Sequence, residues 1–128
     1  MPSKHLLLIA HGSRRQASND EVRALARQLR ATNHPYVGAV EVAFLELAEP
    51  SIADGLAACA GKGAREIIVF PYFLAAGTHV AVDIPEEIAA FSARHPEVQI
   101  TLTPHLGAAP TLPQAILGLV LAEDAPAK

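Results

Sequence analysis

The stretch Leu6-Leu7-Leu8-Ile9-Ala10-His11-Gly12-Ser13-Arg14 decides how this chain folds. Five consecutive apolar residues without polar alternation describe a strand covered on both faces, as in a parallel sheet held between helices. The glycine and serine that follow describe a tight turn leading into a helix. That helix is visible next: Val22, Leu25, Ala26 and Leu29 recur at helical spacing, and Ser18 with Glu21 has the form of a capping box.

Outward from this unit the pattern repeats. His34-Pro35 ends the first helix, and a second strand is expected over residues 37–44, interrupted by Glu41. A second helix from about Ser51 places Ile52, Leu56 and Cys59 on one face and stops at Gly61-Lys62-Gly63. Ile67-Ile68-Val69-Phe70 is a third, uniformly apolar strand. The third helix starts near Asp83, accepts Pro85 in its first turn and stripes Ile84, Ile88 and Phe91. Val98-Gln99-Ile100-Thr101-Leu102 alternates as a fourth strand, and a fourth helix is expected over about 111–121, with a frayed tail from 122 to 128.

Regular strand–helix alternation with short connections implies a three-layer α/β sandwich, a four-stranded parallel sheet with helices on both faces. Strands one and three, being uniformly apolar, belong in the centre, buried on both faces; strands two and four carry polar residues and suit the edges. The expected order is therefore 2-1-3-4, with the topological switch between strands one and three. Ligands of open α/β sheets bind outside the carboxyl ends of strands at such a switch. That nominates the segments beginning at His11 and Pro71.

Bulk properties narrow the function classes. With 128 residues, 51% apolar and 18% charged, the chain is expected to form one globular domain over 1–128. A net charge of −3 gives no general attraction to nucleic acid. Cys59 is the single cysteine, so no internal disulfide forms, in keeping with a reducing compartment. The early apolar run is too short for a signal-peptide core or a membrane span. A cytoplasmic protein with no membrane partner is expected.

Three polar side chains converge on the carboxyl edge. His11 leaves strand one; alone, a His-Gly pair reads as an ordinary turn. His79 ends the connection Pro71-Tyr72-Phe73-Leu74-Ala75-Ala76-Gly77-Thr78-His79, which is long for a strand-to-helix loop, and long loops are often functional. Adjacent central strands bring both loops to one cleft. Glu46, just past strand two, exits at the same edge, whereas Glu49 beside the second helix reads as structural. Two imidazoles and one carboxylate make an N/O set suited to Fe, Co, Ni or Zn and poorly matched to Mg or Ca. Three protein ligands leave coordination positions open, as in catalytic metal sites. His105, flanked by Pro104 and Gly107, reads as a turn residue.

The segments His11-Gly12-Ser13, Ala43-Phe44-Leu45-Glu46 followed by Pro50, and Phe70-Pro71-Tyr72-Phe73-Leu74 with Gly77-Thr78-His79 and Asp83-Ile84-Pro85 resemble the class II tetrapyrrole chelatases, most closely the short sirohydrochlorin cobaltochelatase-like group. The resemblance runs from the first strand to Gly107. It implies that His11 and His79 bind the metal and accept protons, and that Glu46 is the active-site acid. The divalent metal, cobalt by preference with nickel or iron as alternatives, is then a substrate, and no organic cofactor is needed. Many chelatases of this class contain two such α/β halves, so one half implies a homodimer with the tetrapyrrole near the subunit junction. The first loop departs from the family: Arg15-Gln16-Ala17 stands where many relatives have Asp-Pro.

Within that reading, Ser13, Arg14, Arg15 and the N–H groups near the first helix supply donors for the carboxylate arms of the macrocycle. Tyr72, Gly77 and Thr78 fall in the ligand-facing loop. Tyr72 and Phe73 offer cover for a flat ring, with core packing as the alternative for Phe73. Two rival readings stand beside it. One is a metal- or tetrapyrrole-binding module without turnover. The other is a histidine phosphatase, which also places His-Gly after a first strand but needs an arginine immediately before it, where this chain has Ala10.

Overall fold

Four parallel strands form one sheet in the order β2-β1-β3-β4. The computed structural model describes residues 4–124. Its elements run β1 (Lys4–Ala10), α1 (Gln16–Ala31), β2 (Ala39–Phe44), α2 (Ile52–Gly61), β3 (Glu66–Pro71), α3 (Ile84–Arg94), β4 (Gln99–Leu102) and α4 (Leu112–Asp124). A π-helical turn, His79–Asp83, precedes α3, and a 3-10 turn, Leu106–Ala108, precedes α4. The strand order matches the expectation from the apolar patterns. Glu41, the polar interruption in β2, is accommodated because an edge strand leaves it free to pair with Lys62 at 2.8 Å.

Alternation in each strand separates two cores. Leu7, Ile9, Ala43, Ile67 and Val69 point to one face, where Ile52, Leu56 and Cys59 of α2 and Ile84 and Phe91 of α3 cover them. Leu8 and Val40 point to the other face and meet Ala26 of α1, with Leu25 and Leu29 beside it. Each of the Leu, Ile, Val and Phe side chains among them contributes roughly 1.5–3 kcal/mol when fully buried, which explains why the helical stripes end up here. Ser51 caps α2, its Oγ accepting the Asp54 N–H at 3.1 Å.

Three expectations need correction. Helix α1 begins at Gln16, so Ser18 and Glu21 lie inside it rather than at a capping box, and Arg15 at the N-cap makes no side-chain cap. Burying Asn19 against the turn before the helix draws its start forward. Strand β3 is buried on one face only: Ile67, Val69 and Pro71 are buried, whereas Ile68 and Phe70 are half-buried. The cause is α4, which packs chiefly on its own 3-10 turn and leaves this part of the sheet uncovered. The tail expected from 122 is helical to Asp124; residues 125–128 lie outside the described residues. No helix among the described residues is long and apolar enough to cross a membrane.

Candidate functional site at the carboxyl edge

Parallel pairing continues past the ends of β1 and β2. Ala10 faces Phe44 at the last ladder position, then Leu45 N–H donates to Ala10 O at 3.0 Å and Glu46 N–H to His11 O at 3.2 Å. These bonds carry His11 and Glu46 out of the sheet side by side. Their side chains meet, His11 Nε2 lying 3.0 Å from Glu46 Oε2, and both are about half exposed. The two residues are 35 positions apart in sequence, and only the strand register joins them.

The turn beneath this pair is tightly determined. Gly12 has φ +95°, and a Cβ on it would stand 1.8 Å from the carbonyl oxygen of Glu46. Glycine is therefore required twice over, by conformation and by space. Beyond Glu46 the chain swings through Leu47 at φ 65°, a left-handed conformation uncommon outside glycine. Ser13 is clamped by Asn19, whose Oδ1 accepts the Ser13 N–H at 2.9 Å and whose Nδ2 donates to the Ser13 carbonyl at 2.8 Å. The Ser13 N–H is thus committed to Asn19 and not offered to a ligand, while Ser13 Oγ accepts the Arg15 N–H at 3.0 Å.

The second loop closes the site from the β3 side. Tyr72 N–H donates to Ile9 O at 2.8 Å, which holds the start of the loop against β1. Phe73 packs on the core and also stands edge-on to the His11 ring, 6.5 Å between centroids at 66°. Core packing and the wall of the site are thus served by one side chain. Tyr72, Gly77 and Thr78 are exposed on the loop. The π-helical turn begins at His79, whose side chain lies outside what the structure describes. His105 caps the 3-10 turn as the turn reading expected, its carbonyl accepting the Ala108 N–H at 3.0 Å.

Glu46 stands near two clefts of opposite character. One, about 320 Å³, is lined by Ser13, Arg14, Arg23 and Glu49 on the α1 side. The other, about 270 Å³, has Glu46 in its wall together with Asp83 and Glu87 at the start of α3. Arg23 is itself fixed, donating to Asp20 Oδ1 and to the Glu49 carbonyl, each at 3.0 Å, so Glu49 acts structurally through its backbone. Among the described residues, no group of three His, Cys, Asp or Glu side chains is placed to hold a metal ion. Of the three expected ligands, the structure joins His11 to Glu46.

Sequence reading missed Asn19 and the Asp83–Glu87 side of Glu46. A signal for Asn19 exists: positions 19, 22 and 26 share the buried stripe of α1, and a polar residue there must find partners. Asp83 stands out in the sequence only as part of the Asp83-Ile84-Pro85 motif, with no sign that it faces Glu46, and Glu87 looks like an ordinary charge at the start of a helix.

Comparison with known proteins agrees with this architecture. The chain is 38% identical over 102 residues to a sirohydrochlorin ferrochelatase of Bacillus subtilis, a match covering 80% of this chain and 38% of that protein. The chain thus spans well under half that relative's length. A crystal structure of a CbiX protein from Marinobacter aquaeolei VT8 superposes with a TM-score of 0.80 at 32% identity, covering 94% of this chain and 96% of that one. The sirohydrochlorin chelatase SirB from Bacillus subtilis subspecies spizizenii, in complex with cobalt, superposes with a TM-score of 0.83 at 32% identity, covering 95% of this chain and 51% of SirB. The family model CbiX matches residues 5–121. A half-length parallel sheet, a histidine–glutamate pair at its carboxyl edge and this match along nearly the whole chain place the protein in the CbiX family.

Proposed function

We propose that this protein inserts a divalent metal, cobalt by preference and iron or nickel as alternatives, into sirohydrochlorin in the cytoplasm. The observation that carries the reading is the 3.0 Å contact between His11 and Glu46 at the carboxyl edge of a CbiX-family sheet. Insertion exchanges two pyrrole N–H protons for one dication. The chain must therefore hold a metal loosely and take up protons, and neutral imidazole does both near neutral pH.

Glu46 accepts from His11, and that division of labour favours an orienting and proton-relaying carboxylate over a third ligand. A carboxylate on one ring nitrogen fixes the tautomer and raises the basicity of the other, the arrangement behind many metal-binding histidines. His11 accepts a pyrrole proton and Glu46 passes it to solvent, for which its half-exposed position is suited. His79, which begins the facing turn, is assigned as the second histidine. Arg14 lies along the cleft on the α1 side and meets the carboxylate arms of the macrocycle, with the Ser13 hydroxyl beside it. Tyr72, Gly77 and Thr78 border the ring from the loop. The metal is a substrate, and the reaction calls for no organic cofactor.

One sheet edge offers one wall, whereas ligands of this size bury most of their surface in a good pocket. Two copies of the chain are assigned to supply the two walls, and two-fold dimers are the commonest homo-oligomers. Anaerobic mixing of protein, sirohydrochlorin and Co²⁺, with the absorbance change followed in time, tests the activity. Acceleration over the spontaneous rate is expected. Binding without acceleration would identify a carrier instead, and hydrolysis of a phosphate ester with no metallation would identify a phosphatase.

A further inference from the structure

Half of the chain's 10 lysines and arginines fall between residues 14 and 30. Arg14, Arg15, Arg23, Arg27 and Arg30 stand there against Asp20 and Glu21, a net +3 within a chain of net −3. Positions 23, 27 and 30 follow helical spacing and share one face of α1, whereas Glu21 falls about 160° round the helix from Arg23.

That face borders β2, an edge strand of the sheet. Two clefts adjoin there and share Arg23: the one of about 320 Å³ that holds Arg14, and another of about 290 Å³ lined by Arg27, Arg30, Val42 and Pro50. Most carboxylates on this strip are already answered. Asp20 pairs with Arg23 at 3.0 Å and Glu41 with Lys62 at 2.8 Å, while Glu49 is the further acid in the walls. Bonds to the Glu49 and Val40 carbonyls hold the Arg23 and Arg30 guanidiniums in place at 3.0 and 2.8 Å. Arg27 is exposed and makes no ion pair or side-chain hydrogen bond among the described residues. The helix rise sets Arg27 about 6 Å and Arg30 about 10 Å beyond Arg23. Screening at physiological salt acts over about 8 Å, so neighbouring guanidiniums merge into one positive strip. On the other side of Glu46, the cleft with Asp83 and Glu87 has no basic residue in its wall.

We infer that this strip captures the macrocycle by its carboxylate arms and feeds it to His11 and Glu46 from the α1 side. The inference deepens the chelatase reading and rests on it. A net-negative chain repels a polyanion, and the cleft beside Asp83 repels it locally as well. The strip offers the opposite sign and ends at Arg14, next to the histidine–glutamate pair. Arg27 lies about 16 Å along α1 from Gln16, beyond the arms of a ring centred on that pair. It therefore acts on the encounter and not on the final complex. A charge so placed raises the association rate and leaves dissociation nearly unchanged.

Association of metal-free sirohydrochlorin with the protein, followed by stopped-flow fluorescence of the macrocycle, tests the strip. At about 0.01 M ionic strength, where charges reach about 30 Å, Arg27→Glu should slow association about 5–10-fold. Arg27→Gln, which removes the charge without reversing it, should slow association by about the square root of that factor. Near 1 M salt the reach falls to about 3 Å, and both variants should come within about 2-fold of the unaltered protein. The dissociation rate and the metallation rate at saturation should not change. Arg94→Glu, exposed at the end of α3, alters the net charge equally and should slow association less than about 2-fold. Association of Arg27→Glu as fast as the unaltered protein at low salt would overturn the strip, and so would equal slowing in Arg94→Glu. Faster dissociation with unchanged association would make Arg27 a contact of the bound ring and refute its steering role. Association as expected without metallation by the unaltered protein would remove the chelatase reading and leave the strip standing. No association of the macrocycle at all would remove both.

Discussion

Gly12 and Glu46 approach so closely that a Cβ added to the glycine would stand 1.8 Å from the glutamate's carbonyl oxygen. This contact sets the spacing of the two loops that carry the candidate site. Backbone hydrogen bonding between His11 and Glu46 and the side-chain contact above it both depend on that spacing.

Gly12→Ala should therefore be costly. A left-handed conformation costs an alanine about 1–2 kcal/mol, and the overlap forces the loops apart in addition. A loss of more than about 2 kcal/mol in denaturant unfolding is expected, together with loss of metallation. Gly61→Ala is the control, since nothing lies within 4 Å of its added methyl group. Equal behaviour of the two variants would contradict the close approach.

Asn19 is a positioning residue. It is 3% exposed and satisfies both backbone groups of Ser13. Asn19→Ala should cost about 1–3 kcal/mol, the range for leaving buried polar groups without partners. Asn19→Asp keeps the acceptor for the Ser13 N–H and loses the donor to its carbonyl, so an intermediate loss is expected. The metallation rate should follow the same order while both variants remain folded at the assay temperature. An Asp variant no better than Ala would argue against the two-bond clamp.

Substitution at the site should separate roles. His11→Ala and His79→Ala are each expected to lower metallation by about 10²–10⁴-fold, the usual contribution of a positioned base. Glu46→Gln preserves an acceptor for His11 but removes the charge and the relay, and a smaller loss is expected, with metal affinity changed less than rate. Stopped-flow absorbance with the spontaneous rate subtracted measures all three. Rates near the unaltered protein's for both histidine variants would remove the site assignment.

Cys59 should be chemically silent. Its side chain is fully buried, and burial pushes its thiol up from 9.0 to about 11, with Glu41 adding to the shift. At pH 8 about one thiol in a thousand is ionised, and the thiolate is the reactive form. Alkylation by iodoacetamide should be slow in the folded protein and rapid in denaturant, as mass spectrometry can follow. The sign of the linkage also follows. Between pH 9 and about 11 the unfolded chain gives up this proton first, so stability should fall across that window.

Much of the architecture is legible in the residues. Uniform apolar runs at 6–10 and 67–70 mark central strands, Glu41 and the alternation at 98–102 mark edges, and the parallel order follows from these with the handedness of strand–helix–strand units. The same reading puts His11, Glu46 and the loop to His79 at one edge, because a parallel sheet places all its strand ends together. Tertiary structure decided what local pattern cannot encode. The register of β1 on β2 brings His11 within 3.0 Å of Glu46, and the backbone approach at Gly12 depends on two loops meeting in space. The start of α1 was settled by the burial of Asn19 rather than by the Ser18–Glu21 signal, since partners for a buried amide outweigh an exposed cap. An apolar helix at 112–124 states that α4 needs cover, but which surface supplies it is a long-range matter. Among the described residues α4 packs chiefly on the 3-10 turn before it and stays exposed, because periodicity specifies how a segment is buried and only the assembled chain specifies against what.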